Sequence, residues 1–266
     1  MEHGERMATV YGIDLGDRTP ALETRSLEIS RESRVVVEAL SMVVPSNRIV
    51  AVVGPSGSGK STLLKALNRL SELDPGFDVR GEVLLHGENI LRSDVDPAEV
   101  RRRVGMVFQR PSPFPLSVFE NVAFGPRVNR FQGDLGRLVE ECLRKAALWA
   151  EVSDRLFEPA SRLSAGQQQR LSIARALAVG PEVLLMDEPA SHLDPGATQR
   201  IEELIHTLKQ EYTVVLVTHN IQQAARVSDL TAVFHRGRLV EYGPTSTIFT
   251  NPREELTEAY VTGLLT

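Results

Sequence analysis

Short apolar runs rich in β-formers alternate along the chain with segments of helical spacing, the pattern of an α/β fold. Residues 22–29 and 35–44 read as two strands, the second rich in valine. Ile49 to Val53 is an unbroken apolar run ending at Gly54, as expected of a strand covered on both faces. Over residues 60–70, Leu63, Leu64 and Leu67 fall on one helical face. Residues 79–86 and 104–108 read as further strands. From about residue 117 to 180 the strand signal disappears, and 135–150 and 167–179 carry helical spacing, which predicts an inserted helical subdomain. Strands return at 183–186, 214–217 and 231–234, the last joined through Arg236-Gly237 to 239–242 as a hairpin. The stretch after Tyr242 is too short to predict an added regulatory domain.

Composition narrows the classes. Apolar residues are 42% and charged residues 24% of 266, ordinary for a globular chain with a sizeable core. No apolar run exceeds five residues, against roughly 20 needed to span a bilayer. The N-terminus carries no apolar segment of the secretory kind, so a soluble cytoplasmic chain is expected. Thirty Lys and Arg against 35 Asp and Glu give a charge of −5, without the basic excess of a nucleic-acid binder. Arg101-Arg102-Arg103 reads as a solvated helix end. The single cysteine, Cys142, allows no internal disulfide or Cys/His metal cluster and reads as an inert buried thiol.

The chemistry begins at Gly54-Pro55-Ser56-Gly57-Ser58-Gly59-Lys60-Ser61-Thr62, a complete phosphate loop set between a strand and a helix. Its glycines let backbone N–H groups and the helix N-terminus wrap phosphates. Lys60 supplies a charge for the β- and γ-phosphates, and Ser61 a hydroxyl for Mg²⁺. The pattern predicts a nucleotide site. The apolar run 183–186 ends in Asp187-Glu188, at the carboxyl end of a strand, where ligands sit in such sheets. Asp187 is placed to reach the Mg²⁺ shell and Glu188 to take a proton from an attacking water.

Further along, His219 ends the strand run 214–218, either to contact the γ-phosphate or to cap the helix that follows. Asp194-Pro195 reads as a helix N-cap with proline in the first turn. Gln109, after the strand at 104–108, carries little signal alone. Ser164-Ala165-Gly166-Gln167 opens a helix whose N-terminus is a second potential phosphate site. One nucleotide does not need two such sites from one chain, so each is expected to complete the other across a dimer.

Taken in order, loop 54–62, Gln109, Leu163-Ser-Ala-Gly-Gln167, Asp187-Glu188, Asp194 and His219 resemble the ATP-binding subunits of ABC transporters over about residues 22–250. Segments 104–115, 146–152, 167–171 and 218–228 resemble the phosphate-import subgroup more closely. Import of another polar solute such as an amino acid, or a non-transport ABC-type ATPase, stays open as an alternative. The resemblance implies a phosphate-loop NTPase cassette of α/β class, with an antiparallel β subdomain, a mixed core sheet and a helical subdomain at about 117–180. Residues 1–21 and 251–266 are then terminal extensions.

It also implies a homodimer sandwiching two ATP molecules. Ser164, Gly166, Gln167 and Asp194 of one chain would complete the site of the other, and Gln109 would sense Mg²⁺ and the γ-phosphate. The implied partners are two membrane permease subunits, docked near residues 110–125, and a periplasmic or extracellular phosphate-binding protein. That places the chain at the cytoplasmic face of the cell membrane. Three positions depart from the pattern. No adenine-stacking aromatic lies at 29–34, where Arg31 or Arg34 offers a cation–π contact instead. Ala165 stands where glycine is expected, tolerable if it is already helical and strained if its φ is positive. His192 stands where a small residue is expected and reads as an exposed loop histidine, with a pH-sensitive dimer contact as the other reading.

Overall fold

The computed structural model describes residues 20–265. β1 (Pro20–Arg31), β2 (Arg34–Pro45), β4 (Phe77–Leu85) and β5 (Glu88–Asn89) form an antiparallel sheet in the order β2-β1-β4-β5. The second sheet runs β10-β9-β3-β8-β7-β6, built from β3 (Ile49–Val53), β6 (Val104–Val107), β7 (Val183–Asp187), β8 (Thr213–Val217), β9 (Leu230–His235) and β10 (Arg238–Pro244). Its strands are parallel except for the hairpin partner β10. The fold is thus the α/β cassette with an antiparallel sheet and a mixed core sheet that the sequence predicts.

β3, β7 and β8 are buried at every position, which is why they read as continuous apolar runs. One core lies between the two sheets around α1 (Lys60–Leu67) and includes Leu27, Val52, Leu63 and Phe234. The other face of the core sheet packs against helices. These are α3 (Val118–Val128), α4 (Leu135–Lys145), α6 (Ala165–Leu177) and α7 (Pro195–Leu208). Burying each large aliphatic side chain contributes about 1.5–3 kcal/mol.

Among the described residues no strand lies between Ser117 and Gly180, apart from an isolated bridge between Ser117 and Pro159. α2 (Pro97–Arg103) carries the arginine triplet at its end, where Arg102 pairs with Glu99 and Arg103 with Glu182. It is a paired helix end, not a merely solvated one. Cys142 is buried in α4, and burial pushes its thiol up to about 11.

Two helices are shorter than their spacing predicts. The helix expected over 60–70 ends at Leu67, because Arg69 turns left-handed at φ 59° and sends its guanidinium to the carbonyls of Ile90, Arg92 and Val95. The helix expected over 135–150 breaks after Lys145. Ala147 adopts φ 52°, and α5 (Trp149–Val152) starts in a new direction, so that Ala146 and Leu148 are both fully buried. The helix expected at 167–179 begins two residues earlier, at Ala165. The expected extension at 1–21 lies outside the described residues, save Pro20 and Ala21 in β1. After α8 (Ile221–Val227) and the hairpin, the chain ends in α9 (Thr245–Thr250) and α10 (Glu255–Val261), which pack on the core sheet through Ile248 and Tyr260.

Candidate nucleotide site

The phosphate loop leaves β3 at Gly54 and enters α1 at Lys60. Gly54 sits at φ 148°, and a Cβ there would lie 2.0 Å from the Phe234 carbonyl oxygen, so only glycine fits. Gly59, at φ 99°, lies against the Val36 carbonyl, 2.9 Å from where its Cβ would stand. Gly57, at φ 77°, meets open space and shares the exposed tip with Ser56. Ser58 is buried and donates its N–H to the Pro55 carbonyl at 3.2 Å, while Thr62 is half-buried in the first turn of α1.

Lys60 is only 6% exposed. Its ammonium folds back on the loop, donating to the Gly54 carbonyl at 2.7 Å and the Pro55 carbonyl at 2.8 Å. Burial holds its pKa below the ordinary lysine value, and the charges of Glu188 and Asp187 act in the opposite direction.

Asp187 closes β7 with its carboxylate beside α1. Ser61 donates its hydroxyl to Asp187 Oδ1 at 2.9 Å. Burial raises the Asp187 pKa, and the Ser61 bond opposes that rise. Two hard oxygen donors thus meet next to the phosphate loop, the donor set that suits Mg²⁺ sharing its shell with substrate phosphates.

Glu188 follows with φ 45°, a left-handed conformation unusual for a side chain of this kind. Its N–H is tied to the Val217 carbonyl at 2.8 Å, which explains how the turn is maintained. Gln109 donates from Nε2 to Glu188 Oε2 at 3.1 Å, and His219 reaches the same oxygen from Nδ1 at 2.9 Å. His219 therefore contacts the carboxylate, while Asn220 caps α8 by accepting the Gln223 N–H. Ser191, which the sequence did not flag, accepts a second bond from Gln109 at 3.3 Å and donates to the Glu188 carbonyl at 3.1 Å. A lone serine in a polar turn offers no signal for this.

The structure brings loop 54–62, Asp187, Glu188, Gln109 and His219 to one end of the sheet, and leaves the remaining predicted residues apart. Ser164 and Gln167 form a capping box, with Gln167 N–H donating to Ser164 Oγ at 3.3 Å and Ser164 N–H to Gln167 Oε1 at 2.9 Å. Gln167 also donates to Glu151, which Arg170 clamps from below. A Cβ on Gly166 would come 2.8 Å from that of Ala197, so the start of α6 packs closely on the start of α7. Asp194 caps α7 through the Ala197 N–H at 3.0 Å. None of these bonds reaches the phosphate loop.

The departures resolve in part. Ala165 is the first residue of α6 and is exposed, with no positive φ, so its methyl is accommodated. His192 lies exposed in a turn. Arg31 stacks over Phe77 at 5.3 Å and pairs with Asp74 at 3.7 Å. Its guanidinium is thus engaged within the antiparallel sheet.

A strand-flanked phosphate loop opposite an acidic strand end, on this pair of sheets, defines a nucleotide-hydrolysing cassette. A family profile described as ABC transporter matches residues 37–191, and the chain belongs to that family. It is accordingly an ATP-binding, ATP-hydrolysing transport ATPase of the ABC type. It is 55% identical over 254 residues to the phosphate import ATP-binding protein PstB 1 of Synechococcus sp. (strain JA-2-3B'a(2-13)), covering 92% of each chain. It is 54% identical to the phosphate import ATP-binding protein PstB of Salinibacter ruber, covering 92% of this chain and 98% of that one. Among solved structures, cbiO1 from Clostridium perfringens, part of the ABC transporter complex cbiONQ, superposes with a TM-score of 0.77 at 27% identity. That match covers 88% of this chain and 92% of the other.

Proposed function

We propose that this chain hydrolyses ATP to energise an importer of inorganic phosphate. In this reading two copies close head to tail over two ATP molecules, at the cytoplasmic face of the cell membrane. They dock on two integral membrane permease subunits fed by a periplasmic or extracellular phosphate-binding protein. Identity of 54–55% over nine-tenths of the chain to proteins named for phosphate import is the observation that carries the cargo. Among the described residues no helix is long and apolar enough to cross a membrane, so partner subunits would supply the pore. The cassette occupies residues 22–250, with the helical subdomain at about 117–180.

Lys60 exchanges the Gly54 and Pro55 carbonyls for the β- and γ-phosphates, and the loop N–H groups of 57–61 cradle the rest. Ser61 and Asp187 are the residues that would hold Mg²⁺, and the ion would supply charge neutralisation for the phosphate oxygens. Glu188 takes the proton of the attacking water. Gln109 and His219 both bind its Oε2, which leaves Oε1 to face that water. Ser164, Gly166, Gln167 and Asp194 act on the nucleotide held by the second copy. Ser164 and Asp194 lie exposed at the starts of α6 and α7, away from their own loop, which supports that assignment, while Gly166 is buried against Ala197. Uptake of labelled phosphate into vesicles carrying the assembled importer tests the reading.

A further inference from the structure

Segment 146–152 supplies none of the residues assigned to the nucleotide site, yet its chain path is costly to build. Ala147 takes a left-handed φ of 52°, a conformation that favours glycine over alanine. The turn ends α4 and sets α5 beside the start of α6, where Arg170 ties the two together. The Arg170 side chain is only 4% exposed. It donates from Nη1 to the Ala147 carbonyl at 2.5 Å and to Glu151 Oε1 at 2.6 Å. From Nη2 it donates to Glu151 Oε2 at 3.0 Å, and from Nε to the Gly166 carbonyl at 3.4 Å. The Arg170 bonds hold the Glu151 carboxyl below the usual carboxylate range. An ionised carboxylate only accepts, so the Gln167 amide must offer it the NH₂ end, and Nε2 donates to Oε2 at 2.8 Å. The opposite end of that amide, Oε1, is thereby turned to Ser164 and accepts its N–H at 2.9 Å.

We propose that Glu151 is a positioning residue for the start of α6: clamped by Arg170, it orients the Gln167 amide and so fixes Ser164 where it meets the nucleotide of the second copy. Without this carboxylate the Gln167 amide is free to turn over, and the Ser164 N–H loses its acceptor. The buried Arg170 guanidinium then keeps backbone carbonyls as its partners but loses its counter-charge. No bond of this network involves loop 54–62, so nucleotide binding by the free chain is untouched while closure of two copies weakens. The left-handed turn at Ala147 has a use in this arrangement, because it brings both the Ala147 carbonyl and Glu151 to Arg170. This rests on the reading of Ser164 as acting on the second copy's nucleotide.

The test uses a Glu188→Gln parent chain, alone and carrying Glu151→Ala, Glu151→Gln or Lys145→Ala. ATP binding is measured on the dilute chain, and ATP-driven dimer formation by sedimentation over a range of chain concentrations. Glu151→Ala weakens the dimer about tenfold, the equivalent of one hydrogen bond to a charged group, and leaves the Kd for ATP within about twofold. Glu151→Gln keeps an acceptor oxygen for the Gln167 amide and recovers part of that loss. Lys145→Ala removes an ion pair with Glu211 from the same stretch of chain without touching α6, and dimerises as the parent does. A parent-like dimer in Glu151→Ala overturns the role of Glu151. Equal weakening in Lys145→Ala overturns it too, since any loosening of the helical subdomain would then suffice. If Glu151→Ala does not fold, Glu151→Gln decides: a dimer weaker than that of Lys145→Ala supports the role, and an equal one overturns it. Failure of the parent itself to dimerise with ATP removes the two-copy reading, and the role of Glu151 with it.

Discussion

Glu188 stands at the meeting point of three chain segments that the sequence separates widely. Gln109 and His219 reach one of its oxygens, and its own backbone is strained into a left-handed turn. The Asp187-Glu188 pair was legible because an apolar run ended in two acids after a complete phosphate loop. The convergence on Oε2 was not, since a glutamine 79 residues away carries no local pattern. As the proposed base, Glu188 gives a direct expectation: Glu188→Gln binds ATP, accumulates a closed dimer on size-exclusion chromatography, and loses hydrolysis by about a hundredfold or more. Hydrolysis near the wild-type rate would assign the base elsewhere.

Lys60 sets a second expectation at this scale. Burial holds its pKa below 10.5, so the free chain loses this positive charge at a lower pH than an ordinary lysine would. Mg²⁺-free ATP affinity therefore declines on the alkaline side before pH 10.5 is reached. The stability effect has the opposite sign. A buried ammonium penalises the fold while it is charged, so that penalty is present below the folded pKa and is relieved as pH rises past it. ATP titrations from neutral to alkaline pH check the first point, and flat affinity up to the ordinary lysine value would contradict it.

Among the elements, the strands were the most legible because burial on both faces leaves an unbroken apolar run, as in β3, β7 and β8. The helix breaks were hidden. Ala147 has high helix propensity, yet the chain reverses there because burying both Ala146 and Leu148 outweighs a preference worth a fraction of a kcal/mol. The phosphate loop shows the same priority of packing over local rule. Gly54 and Gly57 look alike in sequence, but only at Gly54 would a Cβ lie 2.0 Å from a carbonyl oxygen, that of Phe234. Gly57→Ala is expected to cost about 1–2 kcal/mol, the penalty of a left-handed alanine. Gly54→Ala should cost more, because the β9 backbone must also move. Urea unfolding of the two variants compares them, and equal losses would contradict the close approach of β9.

Across the whole molecule, the two sheets and the helices form the frame expected of a cassette, and the phosphate loop, Asp187 and Glu188 occupy one end of it. Of the residues predicted to act on the second copy's nucleotide, Ser164 and Asp194 lie exposed at the starts of α6 and α7, while Gly166 is buried against Ala197. The cargo was legible only by resemblance, because no side chain here reads phosphate as a transported ion. The C-terminal helix was the least legible part: its short segment carries no motif, and its packing on Ala51 and Val53 through Tyr260 exists only once β3 and α10 are brought together. The most direct measurement of the central claim is ATP-dependent uptake of radiolabelled phosphate by vesicles containing this chain with its co-purified membrane subunits and binding protein. Uptake that stops with Glu188→Gln, and is not replaced by uptake of labelled amino acids, is the result expected. Uptake of another solute in place of phosphate, or phosphate entry that continues with Glu188→Gln, would contradict it.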